Sequence, residues 1–134
     1  MFLLDTDTLI YSLKGKTAVV ENFHLHANDP KAISVITYGE MIYGAEKSQK
    51  RAHNMARVHR LREIFPIIDI SCSIMDTFGS IKAELNRNGT IVDDFDLLIA
   101  TTAITLGYCV VTNNEKHFSK IPGLQFINWT IPRC

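Results

Sequence analysis

Residues 1–9 read MFLLDTDTL: an apolar run, Phe2-Leu3-Leu4, stops at once in the polar turn Asp5-Thr6-Asp7. Apolar residues without polar alternation fit a strand covered on both faces, and such strands belong to parallel sheets packed between helices. In open sheets of that kind ligands sit beyond the carboxyl ends of the strands. Asp5 falls at that place.

Outward from this strand the pattern alternates. Leu9, Ile10 and Leu13 predict a short helix over residues 8–13 closed by Gly15, and Val19, Val20 and Phe23 a second over 17–27 before the turn Asn28-Asp29-Pro30. Residues 32–36, AISVI, predict a second buried strand. Thr37-Tyr38-Gly39-Glu40 opens a helix that pairs with a second one over 51–64 as a hairpin. Residues 66–70 predict a third strand, and Ser71 caps a long helix to Asn86 that Asn88-Gly89 stops. A helix over 93–106 ends at Gly107, a fourth strand covers 108–111, and a fifth at the edge covers 124–127. Strands alternating with helices of these lengths predict an α/β fold, three layers α/β/α around a central parallel sheet of four or five strands. The 134 residues suit one domain, 1–134, with one core.

Composition narrows the function. The chain is 46% hydrophobic and 21% charged, the balance of a soluble globular protein, and 14 basic residues equal 14 acidic ones. No overall field attracts a polyanion, so any polyanion must be met by a local patch. The residues for one gather on the helical hairpin: Lys47, Lys50, Arg51, Arg57, Arg60 and Arg62, with His53 and His59 between. A solvated helix face is the plain reading of that stripe, and phosphate contact through Arg51, Arg57 and Arg60 the functional one. Cys72, Cys109 and Cys134 have neither disulfide-framework nor zinc-site spacing, which suits a reducing cytoplasm. No basic segment leads into a long apolar one at the amino terminus, and no apolar run reaches the roughly 18 residues of a membrane span, so neither export nor membrane insertion is expected.

The chemistry lies in carboxylates. Asp5, Glu40, Asp96 (with Asp93 and Asp94) and Asn114-Glu115 all fall at strand ends or at helix starts nearby. Each has a structural explanation: Thr37-x-x-Glu40 matches a capping box, Asp93 an N-cap, Asp96 a favourable first-turn charge, and Asp5 or Asp7 a cap on the next helix. Jointly they point to a cation, because converging like charges repel and raise one another's pKa unless a metal lies between them. Oxygen-only ligands select a hard ion, Mg²⁺ or Mn²⁺. Thr6 and Thr112 are hydroxyls at strand ends, for which turn formation is the plain reading and orientation of metal-bound water or phosphate the functional one.

MFLLDTDTLIY, ITYGEMIYGAEKS and RNGTIVDDFDLLIATTAITLGYCVVTNNEKHFSKIPGL together resemble, in order and spacing, a PIN domain of the VapC type, the ribonuclease toxin of bacterial toxin–antitoxin pairs. The resemblance covers nearly the whole chain. It implies a metal-dependent endoribonuclease, with the catalytic acids on Asp5, Glu40 and Asp96 and a fourth polar metal position near Asn114. Mg²⁺ is the implied metal, with Mn²⁺ as a substitute. It further implies an RNA substrate such as a transfer RNA, a cognate antitoxin, a homodimer, and no DNA binding except through the antitoxin. Asn114 stands where many members have Asp, so it lends only an amide oxygen. Asp7 stands where members often have Asn, which adds negative charge beside Asp5.

Two other readings attach to the same residues. Asp5-Thr6-Asp7-Thr8 matches the DxDxT signature of haloacid-dehalogenase-like phosphatases, with Asp5 as nucleophile. That chemistry also needs a lysine near a later strand end and an acidic pair directly after a strand, and Asp93-Asp94 follows only Ile91-Val92. The third reading is a PIN module that binds RNA or protein without cleaving.

Overall fold

A computed structural model describes residues 1–132; Cys134, one of the three cysteines, lies outside them. Cys72 and Cys109 are free thiols.

The first strand, β1 (Phe2–Leu4), is the centre of the sheet. It pairs in parallel with β2 (Lys31–Ser34), Leu3 opposite Ala32, and on its other side with β4 (Cys109–Val111), Leu3 opposite Val110. β3 (Ile67–Ile68) extends the sheet beyond β2 and β5 (Phe126–Ile127) beyond β4. The order is therefore β3-β2-β1-β4-β5, all parallel. The expected α/β class, parallel sheet and edge position of the fifth strand hold.

Alternation along β1 explains the three layers. Successive side chains of a strand point to opposite faces. Leu3 packs with Ala32 and Val110 against Ile81, Leu85, Leu97 and Ala100, carried by α5 (Cys72–Arg87) and α6 (Asp94–Leu106). Leu4 packs with Ile33 and Val111 against the other layer. There Leu9 comes from α1 (Thr6–Leu13), Met41 and Ala45 from α3 (Val35–Glu46), and Val58 and Leu61 from α4 (Arg51–Ile64). Both leucines of β1 are fully buried. The remaining helices are α2 (Thr17–Leu25) and the short α7 (Glu115–Phe118), the latter without a clear sequence signal.

Caps set several boundaries. Asp5 caps α1, whose helix starts at Thr6 rather than at the expected residue 8. Ser34 ends β2 and caps α3 through its hydroxyl, which accepts from the Ile36 N–H at 3.0 Å. The strand expected to reach Ile36 is thus shorter, and Val35-Ile36 form the first turn of a helix. Their β-branched shape argues for a strand, but the cap overrides that weak preference. Thr37 is consequently a third-position helical residue, and Thr37-x-x-Glu40 is not a capping box. Ser71 and Asp93 do cap α5 and α6 as expected, and Gly107, at φ 73°, ends α6 in the left-handed conformation that favours glycine. Among the described residues, no helix is long and apolar enough to cross a membrane.

Candidate active site

β1 and β4 are neighbours although nearly the whole chain lies between them, so the crevice beyond their carboxyl ends is where the sheet's connections diverge to opposite sides. Asp5 leaves β1 into it, 5% exposed. One carboxylate oxygen accepts from the Thr6 N–H at 2.8 Å and the other from the Thr112 hydroxyl at 2.8 Å. Thr112 in turn accepts from the Asn114 N–H at 2.9 Å, so one buried hydroxyl ties the loop after β4 to the acid after β1.

Burial dominates the electrostatics of Asp5 and pushes its pKa from 3.8 to about 7, with the charge of Asp7, then Asp96, adding to the rise and the two hydrogen bonds opposing it. Asp7, in the first turn of α1, accepts from the Asn113 N–H at 3.1 Å. Burial raises its pKa, too. Glu40 projects from α3 and accepts from the Thr6 hydroxyl at 2.8 Å. Its pKa is raised first by burial, then by the charges of Asp96, Asp93 and Asp7. Asp96, in the first turn of α6, meets the Asn114 amide nitrogen at 3.5 Å and His117 Nδ1 at 3.2 Å.

Asp5, Asp7, Glu40 and Asp96 thus lie within electrostatic reach, Asp7 and Asp96 acting on both Asp5 and Glu40. Asp93 sits at the edge, its carboxylate accepting from the Phe95 and Asp96 N–H groups as the cap of α6. Asp94 turns away to Lys82, and Glu115 to Asn128. Asn113 presents its side chain to Asn128 and Thr130 rather than to the acids. Sequence reasoning missed His117, which the helical turn of α7 sets against Asn114 at 2.9 Å. Asn114 stands at the cap of α7, three residues before His117, and because α7 itself carries no clear sequence signal no local pattern pairs them.

No lysine or arginine answers these charges among the described residues. The ion pairs there are His26–Asp29, Arg51–Glu46, Lys82–Asp94 and His117–Asp96. Mutually repelling carboxylates with no lysine or arginine paired to them, and only the His117 imidazole beside Asp96, are a donor set for a hard divalent cation. Among the described residues, no three acid, imidazole or thiol groups are already gathered at metal-holding spacing.

Glu40 also borders two concavities. One, about 280 Å³, runs between α1, α3 and α4 and includes Lys14 and Arg57. The other, about 750 Å³, includes Thr6, Tyr43, Lys47 and Phe95. Arg57 donates to the Leu13 carbonyl at 2.9 Å and lines the same concavity as Glu40. Arg60 is exposed, and Arg51 forks onto Glu46 at 2.8 and 2.9 Å.

The PIN domain family matches residues 2–124. The chain is similar to the tRNA(fMet)-specific endonuclease VapC of Salmonella typhimurium, with 40% identity over 96% of this chain and 97% of the relative. It is similar to ribonuclease VapC2 of Rickettsia felis, with 36% identity over 96% of this chain and 98% of the relative. Among solved structures, VapBC2 of Rickettsia felis bound to a promoter DNA fragment has a chain that superposes with a TM-score of 0.89 at 35% identity, covering 96% of this chain and 98% of that one. Likeness of this extent sets the phosphatase reading of Asp5-Thr6-Asp7-Thr8 aside.

Proposed function

The chain belongs to the PIN-domain family, among the VapC-type ribonuclease toxins of toxin–antitoxin pairs, and on that footing we propose that Asp5, Glu40 and Asp96 are its catalytic acids and hold Mg²⁺, or Mn²⁺ in its place, for hydrolysis of RNA. The observation that carries this reading is the buried carboxylate of Asp5 within electrostatic reach of Asp7 and Asp96, with no lysine or arginine paired to any of the three among the described residues. Residues 1–134 act as one nuclease unit.

A bound cation supplies an activated water and screens charge on the leaving oxygen of the phosphodiester. The chain's own residues do the rest. Thr6 N–H and the Thr112 hydroxyl hold Asp5 in one orientation, and the Thr6 hydroxyl fixes Glu40. Asp5 releases its proton when the site is loaded, since a cation favours the charged carboxylate. Asn114 lends an amide oxygen once its amide turns, and Asp7 adds the charge that an amide at its position would lack. Arg57, Arg60 and Arg51 contact RNA phosphates, Arg51 after release from Glu46. No side-chain nucleophile takes part: water adds to phosphorus and the P–O3′ bond breaks, the 3′-oxygen leaving with a proton, so the products carry a 3′-hydroxyl and a 5′-phosphate.

A transfer RNA is the substrate to try first, since the Salmonella typhimurium relative is named for tRNA(fMet). Solved relatives from Rickettsia felis and Salmonella typhimurium are VapBC complexes, and this chain's partner is likewise an antitoxin. A guanidinium or ammonium of that antitoxin enters among Asp5, Glu40 and Asp96 and competes with the metal, because it pairs with carboxylates in the metal's stead. The toxin itself pairs as a symmetric homodimer in the cytoplasm.

The test is cleavage of initiator and elongator transfer RNAs with and without Mg²⁺, with the ends mapped. A 2′,3′-cyclic phosphate, or full activity in chelator, would sink the metal-water route. Co-expression with the neighbouring small open reading frame should yield a complex whose inhibition weakens as Mg²⁺ rises.

A further inference from the structure

His117 takes no part in the hydrolysis as described, yet it faces the acids. Its Nδ1 lies 3.2 Å from Asp96 Oδ2 and 2.9 Å from the Asn114 amide nitrogen, and that nitrogen lies 3.5 Å from the same Asp96 oxygen. Three polar atoms thus form a small triangle, contributed by α6 and by the first turn of α7.

With the amide nitrogen inward, hydrogen bonding does not satisfy the triangle. If the Asn114 amide donates to Nδ1, the imidazole lone pair is taken and Nδ1 meets the Asp96 carboxylate as one acceptor against another. If Nδ1 carries the proton and donates to Asp96, it meets the amide as one donor against another. Turning the amide presents its oxygen instead. With the ring proton on Nε2 the triangle then consists of carboxylate oxygen, amide oxygen and imidazole nitrogen, all lone-pair donors; with it on Nδ1, that proton is shared between the two oxygens and occupies the place a cation takes. Ligands at right angles on a cation with bonds of about 2.1 Å stand about 3 Å apart, close to the observed edges.

We propose that His117 is a nitrogen ligand to the cation at Asp96, through Nδ1, and that this imidazole biases the site toward Mn²⁺ over Mg²⁺. The proposal rests on the reading that the acid pocket holds a divalent cation. An imidazole is a poor ligand for Mg²⁺, which takes oxygen, and a good one for transition metals. A chain with only oxygen donors there lacks that bias. The half-exposed position of His117 leaves the ring free to turn by the small amount that ligation needs.

The experiment uses the full chain, stripped of metal with chelator and loaded with Mn²⁺, read by pulsed electron paramagnetic resonance and by calorimetry. Wild type should show nitrogen coupling of an imidazole to Mn²⁺. His117→Gln, which keeps a hydrogen-bonding side chain beside Asp96, should lose it. Mn²⁺ affinity should fall about tenfold in the variant, within the range for disturbing a metal site's imidazole, while Mg²⁺ affinity stays within about twofold. Bound Mn²⁺ without nitrogen coupling in wild type, or coupling that survives His117→Gln, overturns the ligand assignment and leaves the metal reading standing. Failure of wild type to bind either ion overturns both.

Discussion

The Thr112 hydroxyl donates to Asp5 Oδ2 at 2.8 Å, joining the carboxyl ends of the two central strands through residues 107 positions apart. The same hydroxyl accepts from Asn114 N–H, so Thr112→Val strands a buried carboxylate oxygen and an N–H together. Leaving such groups unsatisfied costs about 1–3 kcal/mol each in buried settings. Denaturant unfolding in chelator should show a loss of about that size, with Thr112→Ser close to wild type. Equal stability of both variants would show that the hydroxyl is dispensable.

Charge removal at the acids should separate catalysis from folding. Asp5→Asn and Asp96→Asn should each lower cleavage by about 100-fold or more, the scale of losing one charge-stabilising group in an active site. Neither should lower the melting temperature of the metal-free protein at pH 8, because each removes a repelling charge. Mg²⁺-dependent cleavage at wild-type rate in either variant would remove that residue from the site.

The raised pKa of Asp5 has a signed consequence for stability. Between its ordinary 3.8 and about 7 the folded chain binds more protons at this group than the unfolded chain does. Stability contributed by the protonated group is full below about 4 and is lost as pH rises through 7. Asp7 and Glu40 act in the same direction. The metal-free protein should lose on the order of 2–4 kcal/mol between pH 4 and pH 8, since a carboxyl raised from 3.8 to about 7 accounts for about 4 kcal/mol at most. Mg²⁺ should recover part of it at pH 8. Urea titrations across that range, with chelator and with Mg²⁺, measure both; a flat or rising metal-free profile would contradict the burial of a charge at Asp5.

The basic face should be felt through salt. Arg57→Glu with Arg60→Glu should weaken RNA binding and flatten the log–log salt dependence by about 1.4, since each lost single-strand phosphate contact removes about 0.7 from the slope. Circular dichroism guards against a folding effect, because Arg57 also holds the Leu13 carbonyl. An unchanged slope would return the stripe to plain solvated surface.

Much of the molecule is visible in local pattern. Phe2-Leu3-Leu4 without alternation announces a strand covered on both sides, and Leu3 and Leu4 do enter opposite layers. Ser71, Asp93 and Gly107 mark helix ends because capping is chemistry between near neighbours in the chain. Asp5, Glu40 and Asp96 stand out as acids beside apolar runs, where solvation alone does not call for them.

Other features belong to contacts between distant segments, which no local period records. Glu40 looked like half of a capping box until Ser34 took the cap and Thr6 the carboxylate. His117 gained its place only when the turn after β4 brought α7 against the start of α6. The amino-acid sequence by itself determined the alternation of strands and helices and the polar ends of the strands, because burial and capping act over a few residues. Only the tertiary structure decided that β1 is central, that Thr112 reaches Asp5 and that four acids share one crevice, because strand order follows from pairing between segments far apart in the chain.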